Sequence, residues 1–166
     1  MFRFILRSLF FLLLARGAVT AFWYGLTARD QWGATAAGRI DWVTDTIKMS
    51  LHTVTYAPAQ DTEEFFSSAT NELATAGGYT SGGATLAGKT LTYDGPTNTV
   101  RLKATDVTWT TATFTARIAV IRKDTGSAAT SPMMGWINFG ADQSPSGIDF
   151  VVKGDPTDGF LRAVVS

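Results

Sequence analysis

The chain has 166 residues, with 14 Lys and Arg balanced by 14 Asp and Glu, and it contains no cysteine. A formal net charge of zero lacks the basic excess expected of a nucleic-acid-binding protein. The missing cysteine excludes disulfides, thiol catalysis and cysteine-ligated metals. One histidine, His52, allows at most one histidine-dependent catalytic centre. The composition therefore argues against an enzyme, and we expect no cofactor and no metal.

Residues 1–21 form an apolar leader that has three interpretations. Arg3 and Arg7 precede an apolar block over residues 9–15, and the small residues of 19–21 follow, which is typical of a secretory signal peptide. The block is shorter than the ~20 residues that span a bilayer, so we expect no stable membrane span. The other two interpretations are a start assigned too far upstream, with Val19 as one candidate start, and a genuine docking arm.

Residues 22–38 are predicted to be an aromatic N-terminal arm with a short helix over 27–37. Thr27 is a candidate N-cap and Gly38 a candidate C-terminal stop. Aromatic side chains are costly to leave in water, so this arm should pack on its own sheet or on a neighbouring subunit. The candidate partner-binding residues are Phe22, Trp23, Tyr24, Leu26, Trp32 and Trp42.

From residue 39 to 166 the pattern predicts one all-β domain, a single antiparallel β-sandwich or barrel-like fold. Residues 47–54 alternate between apolar and polar, which predicts a half-buried strand with His52 facing solvent or an interface. Residues 61–76 are the candidate for one short helix in a loop, and residues 77–83 are expected to be a loop. Further strands are expected over 86–93, 100–103, 107–109, 114–121, 133–139, 148–152 and 160–165, with turns at 94–98, 124–127, 144–147 and 155–159. Residues 114–121 are apolar or small on both faces, as in a central strand.

Residues 83–90 (GATLAGKT) match the phosphate-loop pattern G-x-x-x-x-G-K-S/T. That chemistry needs a buried strand before the loop and a helix whose N-terminus faces the phosphates. A polar, glycine-rich loop precedes this segment, and a strand and a turn follow it. The context therefore argues against nucleotide binding.

Other candidate catalytic groups have simpler interpretations. His52 would need an activated nucleophile and an orienting carboxylate, and no G-x-S-x-G elbow is present. Asp61, Glu63 and Glu64 are interpreted as charges at a helix start, and Asp155 and Asp158 as turn residues. A glycosidase pair or a calcium site is the competing interpretation for these carboxylates. Stacked aromatics that bind sugar are a further alternative, with Tyr79, Tyr93, Trp109 and Trp136 as candidate platforms.

Several sequence blocks together resemble a family of small virion proteins of tailed bacteriophages. The first block is RIDW at 39–42 with TDTIKMSL at 44–51. The others are GY at 78–79 with GG at 82–83, TLTYD at 90–94, DVTW at 106–109, AVIRKDTG at 119–126, SP at 131–132 and GWINFG at 135–140. The resemblance covers roughly residues 39–153.

The resemblance implies a non-enzymatic structural role in a phage particle assembled in the host cytoplasm. Capsid decoration of the cement or head-fibre type is the expected function, and a minor tail protein is the alternative. The implied partners are the major capsid protein or other virion proteins, and a homo-oligomer, by analogy a trimer, is expected. A secreted carbohydrate-binding β-sandwich remains open if the leader is a signal peptide. An enzyme would depend on His52 or on residues 83–90.

Overall fold

The computed structural model describes residues 20–24, 26–27 and 39–164, and these residues form an all-β fold. Ten strands occur within these ranges. They are β1 Thr20–Trp23, β2 Ile47–His52, β3 Ala84–Thr85, β4 Thr90–Asp94, β5 Thr99–Lys103, β6 Val107–Thr113, β7 Ala116–Lys123, β8 Met133–Gln143, β9 Ser146–Val152 and β10 Leu161–Val164. The expected all-β class is confirmed.

The strands form three antiparallel sheets. The largest has five strands in the order β1-β8-β7-β2-β3, and the two smaller sheets have the orders β10-β5-β4 and β6-β9. β7 lies at the centre of the large sheet, and Ile118 through Arg122 are buried along it. The prediction of a central strand covered on both faces is therefore confirmed.

The main core lies between the large sheet and the two smaller sheets. Alternate residues supply it, as expected from the two-residue period of a strand. The large sheet contributes Ile47, Met49, Leu51, Ala119, Ile121, Ile137 and Phe139, and the smaller sheets contribute Leu102, Val107, Trp109, Phe150, Val152 and Leu161.

The opposite face of the large sheet is covered by residues 53–72, which we call the strap. Tyr56 and Phe66 of the strap pack in a second apolar cluster with Ile118, Val120 and Trp136. The strap is bonded at both sides of the sheet, since Glu72 forms a β-bridge with His52 of β2 and Phe66 N donates to Ser131 O beside β8. The large sheet is thus the middle layer of the molecule.

The short helix predicted within 61–76 is a three-residue 3-10 helix, Phe66–Ser68, and the rest of the segment is mainly irregular backbone. The interpretation of Asp61, Glu63 and Glu64 as charges at a helix start is wrong, because residues 61–64 are not helical. Apart from the bonds of this 3-10 turn, the backbone groups of the segment also bond to neighbouring strands: Leu73 N donates to Leu51 O, and Met133 N donates to Glu64 O. Only the second half of the predicted strand 86–93 is a strand, since β4 begins at Thr90 and residues 86–89 are irregular. The predicted helix over 27–37 lies outside the described residues apart from Thr27.

Residues 20–23 belong to the sandwich as its edge strand β1. Phe22 is paired with Trp136 and Trp23 with Gly135 of β8. A Cβ at Gly135 would meet Phe22 O at 2.3 Å, so the glycine allows β1 to approach this closely. β1 thus lies in the same sheet as strands of the predicted domain 39–166. No helix in the part of the chain that the structure describes is long and apolar enough to cross a membrane.

Candidate functional site

The candidate site begins at the β1 edge of the large sheet, where three aromatic rings meet. The Phe22 and Trp136 rings are stacked with centroids 5.0 Å apart, and Tyr24 lies 4.9 Å from Trp136 on the same face. Tyr24 is fully buried, whereas Phe22 is 38% exposed. Phe22 therefore presents an apolar ring at the surface, stacked on the buried Trp136.

The other candidate partner-binding residues are distributed between the interior and the surface. Trp42 is buried in the main core, and its indole N–H donates to Lys103 O at 3.0 Å. Trp23 is half-buried, and its indole N–H donates to Arg162 O at 2.7 Å. Leu26 is half-buried as well. Trp32 lies outside the described residues. Tyr24 and Trp42 thus serve the fold itself, and Phe22 offers the most surface among the candidates that the structure describes.

The prediction that His52 faces solvent or an interface is wrong, because the strap covers that face of β2 and buries the imidazole completely. Its Nδ1 lies 2.8 Å from Thr70 O, and its Nε2 lies 2.9 Å from Ser50 Oγ. A carbonyl oxygen only accepts, so Nδ1 carries the proton and Nε2 accepts from the Ser50 hydroxyl. Burial lowers the pKa of His52, against the raising effects of the Thr70 carbonyl and of Glu72.

Ser50 and His52 have the hydrogen bond of a nucleophile and its base, but not the setting. Both side chains are fully buried, and the group that orients the imidazole is a backbone carbonyl instead of a carboxylate. This pair was not predicted from the sequence. The signal was present, because residues two apart on a strand point to the same face.

Two carboxylates fix the loops on this side of the sheet. Glu63 Oε2 accepts from Tyr56 OH at 2.7 Å, and Tyr56 OH lies 2.7 Å from Tyr24 OH. Glu72 Oε1 accepts from Tyr79 OH at 2.5 Å and from Gly82 N at 2.6 Å. Burial raises the pKa of all three tyrosines, so their hydroxyls stay protonated and donate.

Arg122 of β7 is buried under the strap. Its guanidinium lies 3.6 Å from the Phe66 ring centroid, and Nη2 donates to Gly82 O at 2.9 Å. Its Nε and Nη1 have no hydrogen-bond partner among the described residues. Burial lowers the pKa of Arg122, and the charges of Asp124 and Glu72 oppose that shift. The cation therefore holds the strap against the sheet mainly through the aromatic ring.

The interpretation of residues 155–159 as a turn is confirmed. Asp155 Oδ1 accepts from Thr157 N and Asp158 N, both at 2.8 Å, and these bonds lower the pKa of Asp155. Asp158 forms ion pairs with Arg101 at 3.1 Å and with Arg162 at 2.6 Å. Asp155 is thus committed to its turn and Asp158 to its ion pairs.

The segment that matches the phosphate-loop pattern is a sheet edge. Gly83 lies against β2 with φ +74°, and a Cβ there would meet Met49 O at 2.2 Å. Residues 84–85 then pair with β2, and the Lys89 ammonium donates to Asp45 O. The strand β4 follows where the motif needs a helix.

Three of the four candidate sugar platforms are buried and cannot stack on a sugar. Tyr79, Trp109 and Trp136 belong to the two apolar clusters. Tyr93 is 60% exposed, and its hydroxyl donates to Asn98 Oδ1 at 2.8 Å.

The chain matched nothing in comparisons with protein-family models, with curated proteins and with solved structures. Among the residues that the structure describes, no group of three or more His, Asp or Glu is placed to hold a metal ion.

Proposed function

We propose that this chain is a non-enzymatic structural protein of a tailed-bacteriophage particle, and that it decorates the capsid. The observation that carries the proposal is the contrast between interior and surface. Ser50 and His52, the polar groups with catalytic potential, are fully buried. Large apolar side chains, in contrast, are exposed on edge strands. Phe22 on β1 and Tyr93 on β4 are examples. Exposed apolar side chains that are grouped on one surface mark sites that bind another protein.

The resemblance blocks support the same proposal, because two of them together build the frame of the large sheet. Asp45 of the first block forms an ion pair with Lys123 at 2.9 Å, and Lys48 pairs with Asp124 at 2.6 Å. Asp124 N also donates to Thr46 O across the β2–β7 pair. These contacts hold the two resemblance blocks together in the β2–β7 pair.

In the proposed mechanism the β1 edge docks on the major capsid protein or on another virion protein. Burial of the exposed part of Phe22 and of its apolar surroundings contributes ~25 cal/mol per Å². A capsid repeats the docking site many times, so self-associated copies gain avidity that one copy lacks. A small interface per copy is then sufficient.

The position of β1 supports an N-terminus upstream of Thr20. Thr20 and Ala21 pair with Asn138 and Ile137 of β8. Cleavage after Ala21 would remove half of this edge strand, whereas a start at Val19 would leave it complete. The mis-assigned start therefore fits the proposed function better than a cleaved signal peptide does.

A particle-incorporation experiment tests the docking edge. The full chain with Phe22→Ser is supplied to a host that produces particles lacking the native protein. Val54→Ser, at another exposed apolar position, is the matched control. We expect the Phe22 variant to be reduced in purified particles at least about tenfold, and the Val54 variant to be incorporated normally. Normal incorporation of the Phe22 variant would contradict docking through β1. Absence of the unmodified chain from the particles would contradict the proposed function.

A further inference from the structure

Strand β4 forms an edge of the three-stranded sheet. It is hydrogen-bonded to β5, and no other described strand lies on its far side. Thr90, Leu91, Thr92 and Tyr93 are all exposed. An edge strand presents a row of backbone N–H and C=O groups that another strand can pair with.

β4 lacks most of the features with which proteins protect such an edge, and its one charged residue is Asp94 at the end of the strand. Residues 90–94 contain no proline, no lysine and no bulge. The other edge of the same sheet is different, because the Trp23 indole donates to Arg162 O on β10. Edge strand β3 of the large sheet has only two residues. Both strands of the two-stranded sheet are edges too, but register shifts interrupt the β6–β9 pair. β4 is therefore a regular five-residue edge that neither shortness nor a bulge protects.

β4 also carries an apolar face. Leu91 is 52% exposed and Tyr93 is 60% exposed, and their two-residue spacing places both side chains on one face of the strand. Leu102 and Val100 are their partners on β5. The apolar face of the small sheet thus continues to the edge and ends there uncovered.

We propose that β4 pairs antiparallel with β4 of a second copy of this chain about a twofold axis. The two small sheets then form one continuous six-stranded sheet. Only the register centred on Thr92 pairs all five residues of the strand. In that register Leu91 lies opposite Tyr93 of the second copy, at two equivalent positions, and an aliphatic–aromatic pair of this kind stabilises a sheet.

The polar face of β4 is complementary to itself in the same register. Thr90 lies opposite Asp94 of the second copy at both ends, so a hydroxyl donor meets a carboxylate acceptor. The Asp94 carboxylate is already balanced by Arg101 at 2.8 Å. The two Asp94 residues are four residues apart along the strand direction, which is ~13 Å. Because that separation exceeds the ~8–10 Å Debye length at physiological salt, the two carboxylates repel each other little.

The proposal makes the homo-oligomer of the proposed virion protein a dimer in place of the trimer expected by analogy, and it rests on that function. The pairing is measured on the free protein, so its failure is distinct from a failure to bind particles. Sedimentation velocity of the full chain over a wide concentration range should show a dimer. Leu91→Lys should weaken self-association at least about tenfold, because a lysine on an edge strand opposes strand addition. Val164→Lys, at a 62% exposed position of β10, is the matched control and should leave the dimer intact.

Cysteine cross-linking tests the register, since the native chain has no cysteine. Facing residues of an antiparallel pair have Cα atoms about 4.5–5.5 Å apart, within the range of a disulfide. Thr92→Cys should therefore give a covalent dimer on mild oxidation. Thr90→Cys is the control on the same face, and its copies are separated by ~13 Å in this register.

Three results would overturn the proposal. In the first, the wild-type protein sediments as a monomer or as a trimer. In the second, Leu91→Lys and Val164→Lys have the same dimer dissociation constant. In the third, Thr90→Cys and Thr92→Cys give the same yield of covalent dimer. If Leu91→Lys does not fold, as judged by its melting curve, Tyr93→Lys provides the same readout from the neighbouring exposed position.

Discussion

At the scale of single residues, the polar groups under the strap illustrate how this fold stabilises buried polarity. His52 uses both ring nitrogens, and Tyr56 links Tyr24 to the Glu63 carboxylate. A buried polar group that lost its partner would cost ~1–3 kcal/mol. These bonds therefore stabilise the strap, and they favour its observed position because the buried groups would lose their partners in another.

The buried His52 gives the protein a specific pH dependence. Burial lowers its folded-state pKa below the ordinary value of 6.5, although Glu72 and Glu63 partly oppose this and Arg122 reinforces it. The unfolded chain therefore binds a proton near pH 6.5 that the folded chain does not bind. The contribution of His52 to stability is complete above pH 6.5 and is lost progressively as the pH falls from there toward the folded-state pKa.

We expect the free energy of unfolding to be lower at about pH 5.5 than at about pH 7.5, and His52→Asn to reduce this difference. The asparagine amide retains a donor toward Thr70 O and does not titrate. The measurement is urea unfolding of both proteins across this range. Because His52 is the only histidine, the slope can be assigned to it. Equal slopes in the two proteins would show that His52 is not responsible.

At the scale of elements, β1 connects the N-terminal segment to the sandwich by pairing with β8. It completes the large sheet beside β8, stacks Phe22 on Trp136 and leads into the buried Tyr24. Trp23 also contacts the small sheet through Arg162 O. β1 thus stabilises both layers at this edge.

Removal of β1 should destabilise the whole domain. A deletion through Tyr24 removes a completely buried aromatic side chain and uncovers Trp136, so we expect a loss of at least ~3 kcal/mol. The control deletion ends at Val19 and leaves β1 complete. Thermal unfolding of the two truncated proteins measures the difference. Equal melting temperatures would contradict an integral role for β1.

Local patterns predicted the strands well and their surroundings less well. Two-sided apolar character identified β7, and the alternation in residues 47–54 identified β2. The same alternation suggested that His52 was exposed, because nothing in those residues indicates that the strap, up to 20 positions later, covers them. Residues 61–76 have helical composition, yet their backbone groups bond to Leu51, Ser131 and Met133. Such long-range contacts are not visible in a local window.

The aromatic N-terminal residues show the same limit at the candidate site. Composition indicated that they need a partner, and it left open whether their own sheet or another subunit provides it. The structure places Tyr24 and Trp42 in the interior and leaves Phe22 partly exposed. Pairing between β1 and β8 decides this, and it joins residues more than 110 positions apart.

At the scale of the whole molecule, the three-layer arrangement leaves two edge strands with exposed apolar side chains, and they belong to different sheets. β1 with Phe22 borders the large sheet, and β4 with Leu91 and Tyr93 borders the smaller one. One edge is proposed to bind the particle and the other a second copy. A building block with two such edges binds a repeating surface more strongly than a block with one.

The central claim is that the chain is part of a phage particle. The most direct measurement is the intact mass of the protein from its native source, together with the identity of the proteins that sediment with it. Our account predicts the chain in a fraction with capsid proteins, with a mass that corresponds to a start upstream of Thr20. A free secreted protein cleaved after Ala21, in a fraction without virion proteins, would contradict it.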